Sequence, residues 1–544
     1  MRKSCIVDTY DLIVVGLGIN GSGIARDAAM RGLGVLALDQ SDVGAETTSW
    51  NSRLVHGAHH FDQGEMGLAR ALVIERERLL DIAPHLVRPR PLILPIMHGA
   101  ARSPLKIRLN LLAHDLLSIR KSLAHHRMLT PEEAIRIVPG LERKTLHGAA
   151  LYWDCEIFYP ERLALENALS ARSAGAEIRT HTRVERLIQE GDRVIGVAYR
   201  DLIDGDGGEA RAQVVINAGG PWTDRVLETL GRPQPRRISG MKGSHIIVDQ
   251  FSGGPQGHIL VIETRPDRRP LFIIPWNGRL LIGATEKPFD GDPAEAAAEE
   301  SEVEQLLDDV NRAIPSAGLT RSSILYSYSG VRPVLNAGAG VQPAMSNHFI
   351  ILDHAPRPEG LLSVVGGKLA IHRELAEQAV DLVFGKMGRR PPRCRTHQTP
   401  LPGAEGDLIR FGWGFIMRSG LDEPVARRLA RIYGTRARLL EELWRTATEL
   451  KEPLDPCSLV LRAEVVLAGR DEMARTLNDM LMRRILAGLD PDLGRSAAVP
   501  AASIAAQYLD WSEARAKAEL ARHERLIERL RVPGSQRAGR QEAS

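Results

Sequence analysis

The stretch DLIVVGLGINGSGIARDAAMRGLGVLALD, Asp11 to Asp39, constrains the fold more than any other part of the chain. An apolar run, Leu12 to Val15, reads as a buried strand. It breaks into glycines at Gly16, Gly18 and Gly21 and continues in a helical pattern; a second apolar run, Val35 to Leu38, ends in Asp39. Strand, glycine turn, helix and strand in this order form a dinucleotide-binding fingerprint. Gly16 permits the tight turn, Gly18 lets backbone approach a pyrophosphate, and Gly21 lets helix and strand pack closely. The helix start offers unpaired N–H groups and a positive dipole end to phosphate. Asp39, 23 residues after Gly16, is placed to accept a bond from a ribose hydroxyl.

At 544 residues the chain exceeds one core, so two or three domains are expected. A net charge of +3 argues against a nucleic-acid partner. Cys5, Cys155, Cys394 and Cys457 form no CxxC pair, which suits reduced thiols in the cytoplasm. MRKSC carries no apolar signal region, and no apolar run reaches the length of a membrane span.

Two later segments repeat the strand-then-glycine pattern: AQVVINAGGPW (Ala212 to Trp222) and LLSVVGGKLAIHRELAEQAV (Leu361 to Val380). Both read as strands of one parallel sheet whose ends deliver small residues to a ligand. Between them GSHIIVD, HILVIE, RPLFIIPW and RLLIGAT read as an antiparallel sheet covering the substrate. Beyond about Pro400 the pattern is helical. The expected organisation is a dinucleotide domain in three parts (1–90, 151–222, 346–398), with a helical insertion at 91–150 and a β-rich substrate domain at 223–345. An all-helical domain (399–532) and a disordered tail (533–544) complete it.

The ordered set DLIVVGLGINGSGIARDAAMRGLGVL, TTSWNSRLVHG, ERERLLDIAPHL, NAGGPW, MKGSHIIV, FIIPW, YSGVRP, LLSVVGGKL and PLPGA, with helical EMARTL and WSEAR, resembles the FAD-dependent, quinone-linked glycerol-3-phosphate dehydrogenases over nearly the whole length. That resemblance implies FAD rather than NAD. It implies an α/β Rossmann-like fold of the D-amino-acid oxidase and glycine oxidase type, with an antiparallel β substrate domain and an all-α C-terminal domain. The implied reaction is oxidation of glycerol 3-phosphate to dihydroxyacetone phosphate, with electrons passed to quinone by a peripheral enzyme on the inner face of the cytoplasmic membrane. The partners are a small phosphorylated polyol, quinone, the membrane surface and, compatibly, a second copy in a homodimer. The resemblance further implies cofactor contacts from Gly16, Gly18, Gly21, Asp39, Thr48, Ser49, Ser52, Val184, Gly219, Gly366, Gly367 and Lys368.

An alcohol-oxidising flavoprotein needs a base for the hydroxyl proton and cations for a phosphate. His245 in KGSHIIV can accept a proton near neutrality; spacing alone favours a strand histidine held by the sheet, and the resemblance is what makes it the base. Arg332 in YSGVRP can fork onto phosphate or a developing alkoxide. Lys368 follows Gly366-Gly367 at a helix start, where a cation is unfavourable unless an anion compensates it. The small hydroxyls Thr47, Thr48, Ser49 and Ser52 suit flavin or phosphate contacts, or cap a helix.

Two departures from the resembled family mark the expected pocket. Where that family carries an arginine and a tyrosine facing substrate, this chain has His60 and Phe61. Where the family helix after GGKL carries Thr-Thr-Tyr, this chain has Ala370, Ile371 and His372. They open the alternatives of another phosphorylated polyol or hydroxy acid, an oxidase, or a catalytically silent flavin-binding subunit. His56, His59 and His60 invite a metal reading, but no carboxylate or cysteine completes a set and no metal is expected. In SPLKIRLNLLAHDLLSIRKSLAHHR, Leu105, Leu109, Leu112, Leu116 and Ile119 recur at steps of four and three beside Lys106, Arg108, Arg120, Lys121 and Arg127. The pattern fits a basic amphipathic helix on a lipid surface, or a helix packing its leucines onto its own domain.

Overall fold

The computed structural model describes residues 8–55, 57, 66–98, 103–117, 123–233, 235–265, 267–336, 348–456 and 458–534. His56, His59, His60, Phe61, Ile119, Arg120 and Lys121, and all but the first two residues of the expected disordered tail, lie outside these residues.

Two sheets and a helical region make up the molecule. The first sheet runs Phe349–Asp353, Leu361–Gly366, Gly207–Asn217, Asp8–Val15, Val35–Leu38 and Glu177–Arg179, with Thr182–Glu190 and Arg193–Asp201 joined beside Gly207–Asn217. The strands from Leu361–Gly366 to Glu177–Arg179 are parallel, and Asp8–Val15 lies in their middle. Its Leu12, Ile13 and Val14 are fully buried, as a parallel strand covered on both faces requires. Helix Ile19–Met30 covers one face, packed between helices Pro160–Ser173 and His372–Lys386. The glycines of the fingerprint and Gly366-Gly367 therefore converge at the C-terminal ends of adjacent strands, where such sheets bind ligands.

The second sheet has ten strands and is antiparallel except for one parallel contact, Ile259–Glu263 with Val87–Met97. It contains the expected run Ile238–Val248, Ile259–Glu263, Pro270–Trp276 and Arg279–Gly283. The expected helical insertion at 91–150 is corrected here. The segment enters on strand Val87–Met97 and leaves on Leu146–Ile157, which pair over their length; among the described residues only Pro104–Leu117 and Pro131–Ile137 are helical. Its apolar residues at 92–97 lie on an inner strand of this sheet, between Ile259–Glu263 and Leu146–Ile157.

The helices after Leu408 form the expected helical C-terminal region, which packs directly on the sheet side. Their buried Phe415, Leu429, Ile432 and Leu477 share one apolar cluster with Trp50, Tyr326 and Tyr328 of the sheet side. Buried ion pairs reinforce the junction, as in Arg162 forking Glu472 at 2.6 and 2.9 Å.

The leucine-striped helix turns its leucines outward. In Pro104–Leu117, Ile107, Leu111 and His114 are buried against the protein, whereas Leu105, Leu109, Leu112 and Leu116 are 66, 56, 42 and 66 % exposed. The reading in which those leucines pack onto their own domain is overturned. Among the described residues no helix is long and apolar enough to cross a membrane.

Candidate active site

A cavity of about 840 Å³ opens between the two sheets, and most of the expected residues meet in it. The glycine turn forms one end. Gly16 has φ +104°, and a Cβ there would lie 2.5 Å from Ala218 O. A Cβ on Gly21 would lie 1.8 Å from Gly16 O, so the helix closes on the turn only because Gly21 has no side chain. At Gly18 a Cβ would meet only Thr48 Oγ1, at 3.4 Å. Its freedom from crowding leaves that side of the turn open to a ligand. Ile19 N donates to Thr48 Oγ1 at 3.0 Å, and Asn20 Nδ2 donates to Gly366 O at 3.2 Å, tying the helix start to both flanking loops.

Asp39 braces the same turn. Its Oδ2 accepts from Leu17 N at 2.6 Å and its Oδ1 from Ser41 N at 2.7 Å. Each oxygen keeps a further lone pair, and the residue lines the cavity beside Thr182 and Val184. Val184, Gly219, Gly366, Gly367 and Lys368 also line it. Gly21 and Ser49 do not: Gly21 packs beneath the turn, and Ser49 Oγ donates to Gly44 O at 2.6 Å. Ser49 is thereby corrected from a cofactor contact to a brace within its own loop.

At the other end, strands Ile238–Val248 and Ile324–Leu335 set His245 opposite Tyr328 and Met241 opposite Arg332. The imidazole of His245 stacks on the Tyr328 ring, with centroids 4.9 Å apart. Its Nε2 is 2.9 Å from Ser52 Oγ, and its Nδ1 is buried without a hydrogen-bond partner among the described residues. Burial, with Arg332 and Arg53 nearby, pushes the His245 pKa down to about 3, so the ring is neutral throughout the physiological range. Arg332 Nη2 donates to Glu286 Oε1 at 2.7 Å, and Glu286 Oε2 accepts from Arg269 Nη1 at 2.7 Å. Glu286 thus holds two guanidinium groups side by side on the cavity wall.

The loop carrying Ser52 is held from behind. Thr47 Oγ1 donates to Val331 O at 2.6 Å, and Tyr328 OH donates to Asn51 O at 2.8 Å. Arg53, fully buried at φ +60°, pairs with Glu161 and lies 4.4 Å from the Trp276 ring centroid. Sequence reading missed Arg269, Glu286 and Glu46. The last lines the cavity between Asp39 and Thr48, and burial pushes its carboxyl up to about 7 despite Arg529 and Arg483 nearby. An acid amid the small hydroxyls of AETTS was the one available signal for Glu46. Nothing local in LLIGATEK marks Glu286 as a bridge between arginines 269 and 332. Lys368 precedes the short helical turn Leu369–Ile371 and is among the residues lining the cavity. His372 is buried behind helix Ile19–Met30, 3.1 Å from where a Gly23 Cβ would stand, and does not line the cavity. The departure there is a packing difference.

A glycine turn at a helix start, a second Gly-Gly strand end and a facing wall with a neutral imidazole and an arginine define a flavin-type oxidoreductase fold. Residues 11–373 match the family described as FAD dependent oxidoreductase, and residues 394–516 match the C-terminal domain of alpha-glycerophosphate oxidase. A glycerol-3-phosphate dehydrogenase of Synechocystis is 36% identical over 539 residues, covering 96% of this chain and 97% of its own length. A D-erythritol 1-phosphate dehydrogenase of Brucella abortus is 36% identical, over 88% of this chain and 94% of its own. Among solved structures, a glycerol-3-phosphate dehydrogenase from Bacillus halodurans complexed with FAD superposes with TM-score 0.79 at 25% identity, over 97% and 96% of the two chains. Glycine oxidase from Geobacillus kaustophilus shares the fold at TM-score 0.52 and 22% identity, over 72% of this chain and 98% of its own. The chain belongs to the glycerol-3-phosphate dehydrogenase family of FAD-dependent oxidoreductases, and its cofactor is FAD. The residues present fit that cofactor: Gly16 makes the tight turn against Ala218, Gly18 leaves backbone clear for a pyrophosphate, and Asp39 keeps lone pairs for a ribose.

Proposed function

We propose that this protein oxidises glycerol 3-phosphate to dihydroxyacetone phosphate and passes the electrons to quinone at a lipid surface. The observation that carries the reading is that neighbouring strands bring His245 and Arg332 to the one cavity that the glycine turn also lines. Bound FAD supplies the hydride acceptor. His245, neutral and hydrogen-bonded to Ser52, takes the hydroxyl proton directly or through Ser52 Oγ. Arg332 and Lys368 hold the anionic oxygens, and Glu286 fixes the Arg332 fork in place. A phosphate dianion on Arg332 offsets one of the two cations that depress the His245 pKa, so substrate binding strengthens the base.

A second substrate fits the same machinery. The likeness to an erythritol-phosphate enzyme at the same 36% identity, with His60 and Phe61 in place of arginine and tyrosine, favours a longer phosphorylated polyol. The test is an anaerobic screen of polyol phosphates that follows flavin bleaching. Bleaching by glycerol 3-phosphate supports the first reading, bleaching only by a longer polyol phosphate supports the second, and no bleaching by either refutes both.

The membrane part rests on the outward leucines of Pro104–Leu117, flanked by exposed Lys106 and Arg108. An apolar stripe with cations at its border suits the headgroup layer of an anionic bilayer. Sedimentation with anionic vesicles should fall with salt and fall further in Leu109→Asp/Leu116→Asp. Binding of the wild type to neutral and anionic vesicles alike, or none to either, would count against it, as would failure to reduce a quinone analogue.

A further inference from the structure

One segment of the helical region, Thr476–Arg484, reaches both walls of the ribose end of the cavity. It ends in a π-helical turn, Met480–Arg484, a rare conformation that is frequent at functional sites. The turn presents two consecutive arginines to Asp42, which is buried in the loop after Asp39. Arg483 Nε and Arg484 Nη1 donate to Asp42 Oδ2 at 2.6 and 2.7 Å, and Arg484 Nη2 donates to Oδ1 at 2.7 Å. Arg483 Nη2 returns to Asp479 Oδ1 at 2.7 Å. The other oxygen of Asp479 is 2.8 Å from His181 Nε2. His181, at φ +52°, ties the two walls together: its N–H donates to Ser41 O at 2.7 Å, and the adjacent Thr182 N donates to Asp39 O at 2.6 Å. Ser41, Asp42 and Glu46 on one wall and Thr182 to Val184 on the other all line the cavity. Asp42, Asp479, Arg483 and Arg484 are all buried, so removing any one strands a charge away from water.

We propose that the helical domain is part of the cofactor site, its Asp42–Arg483–Arg484–Asp479–His181 cluster positioning both walls of the ribose end so that FAD binding and the seating of this domain are thermodynamically coupled. None of the five touches the reacting end of the cavity; they act through Ser41, Thr182 and the loop of Asp39. Coupling of this kind is reciprocal. What the domain contributes to FAD affinity, FAD must return to the domain's stability.

Two measurements test it. The first is the FAD dissociation constant of reconstituted protein for Arg483→Met, Arg484→Met and His181→Asn. The control is Arg373→Met, which removes an equally buried arginine forking Glu75 at 2.7 and 2.7 Å, away from the cavity. The cluster variants should bind FAD ten- to a hundredfold more weakly, and the control within twofold of wild type. The second measurement needs no variant. Amide hydrogen exchange across 472–490 in the full chain should be slower with FAD than without it. Cluster variants that bind FAD within twofold of wild type would overturn the proposal. So would a control that weakens it equally, since that is a general loss of stability. Exchange at 472–490 indifferent to FAD would overturn it independently.

Discussion

Replacing His245 by Gln tests the proton-transfer reading most directly. The imidazole is 2 % exposed, stacked on Tyr328 and bonded to Ser52, so a glutamine of similar length keeps the volume and the bond to Ser52 but accepts no proton. A positioned general base contributes about 10²- to 10⁴-fold, or about 3–5 kcal/mol of barrier at 1.36 kcal/mol per decade. The expected result, by anaerobic stopped-flow with glycerol 3-phosphate, is a fall of that size in the rate of flavin bleaching, with FAD affinity unchanged. The pH dependence adds a second check. With its pKa near 3, His245 is already deprotonated at pH 5, so it gives no acid limb in kcat/KM between pH 5 and 7. A limb there belongs to the substrate phosphate, whose second pKa is about 6, and disappears with an unphosphorylated polyol. The stability consequence has a definite sign. The folded pKa lies below the unfolded 6.5, so the contribution is complete above pH 6.5 and is lost as pH falls toward 3. From pH 7 to pH 5 the loss is about 2 kcal/mol, because the unfolded chain takes up a proton that the native site refuses. His245→Gln should therefore be slower yet less acid-sensitive. A less than tenfold loss of bleaching rate in a variant that retains FAD would refute the assignment of His245 as the base.

Gly21→Ala should prevent folding or FAD retention, because its methyl would stand 1.8 Å from Gly16 O; Gly18→Ala, facing only Thr48 at 3.4 Å, should fold, lose FAD affinity and melt where the wild-type apoprotein does. Equal melting temperatures for the two variants would contradict this. Glu46→Gln should leave stability unchanged below pH 4.5 and raise it above pH 7, because the native carboxyl, pushed up to about 7, holds a proton that the unfolded chain releases. Denaturation series at pH 4 and pH 8 decide that sign. His60→Arg with Phe61→Tyr should raise kcat/KM for glycerol 3-phosphate at pH 7 about ten- to a hundredfold, since a forked charged contact is worth about 1.5–3 kcal/mol. A flat or lower value would remove both residues from the phosphate site.

The sequence by itself determined the cofactor class and the order of the parts. GLGINGSG must turn tightly because Gly16 sits at positive φ and Gly21 lies under the carbonyl of Gly16, and no other residue meets both demands. Asp39, Gly219 and Gly366-Gly367 were legible for the same reason: each ends an apolar strand of a parallel sheet, and strand ends in such a sheet face the ligand. Pairings between distant segments were not legible. The strand at 87–97 finds its partner at 146–157 across two helices, so local periodicity concealed a pair of inner sheet strands at the ends of an apparently helical insertion. Spacing placed the leucines of Pro104–Leu117 on one face but could not say which face, because orientation depends on what Ile107, Leu111 and His114 pack against. The small hydroxyls of AETTS look interchangeable in sequence, yet the fold turns Thr48 onto the helix start and Ser49 into its own loop, while Glu46 lines the cavity. Asp42 and Arg484 are 442 residues apart, and Arg332 meets Arg269 only through Glu286. A buried charge must find its counter-charge wherever the fold puts one, so those partners are decided in three dimensions.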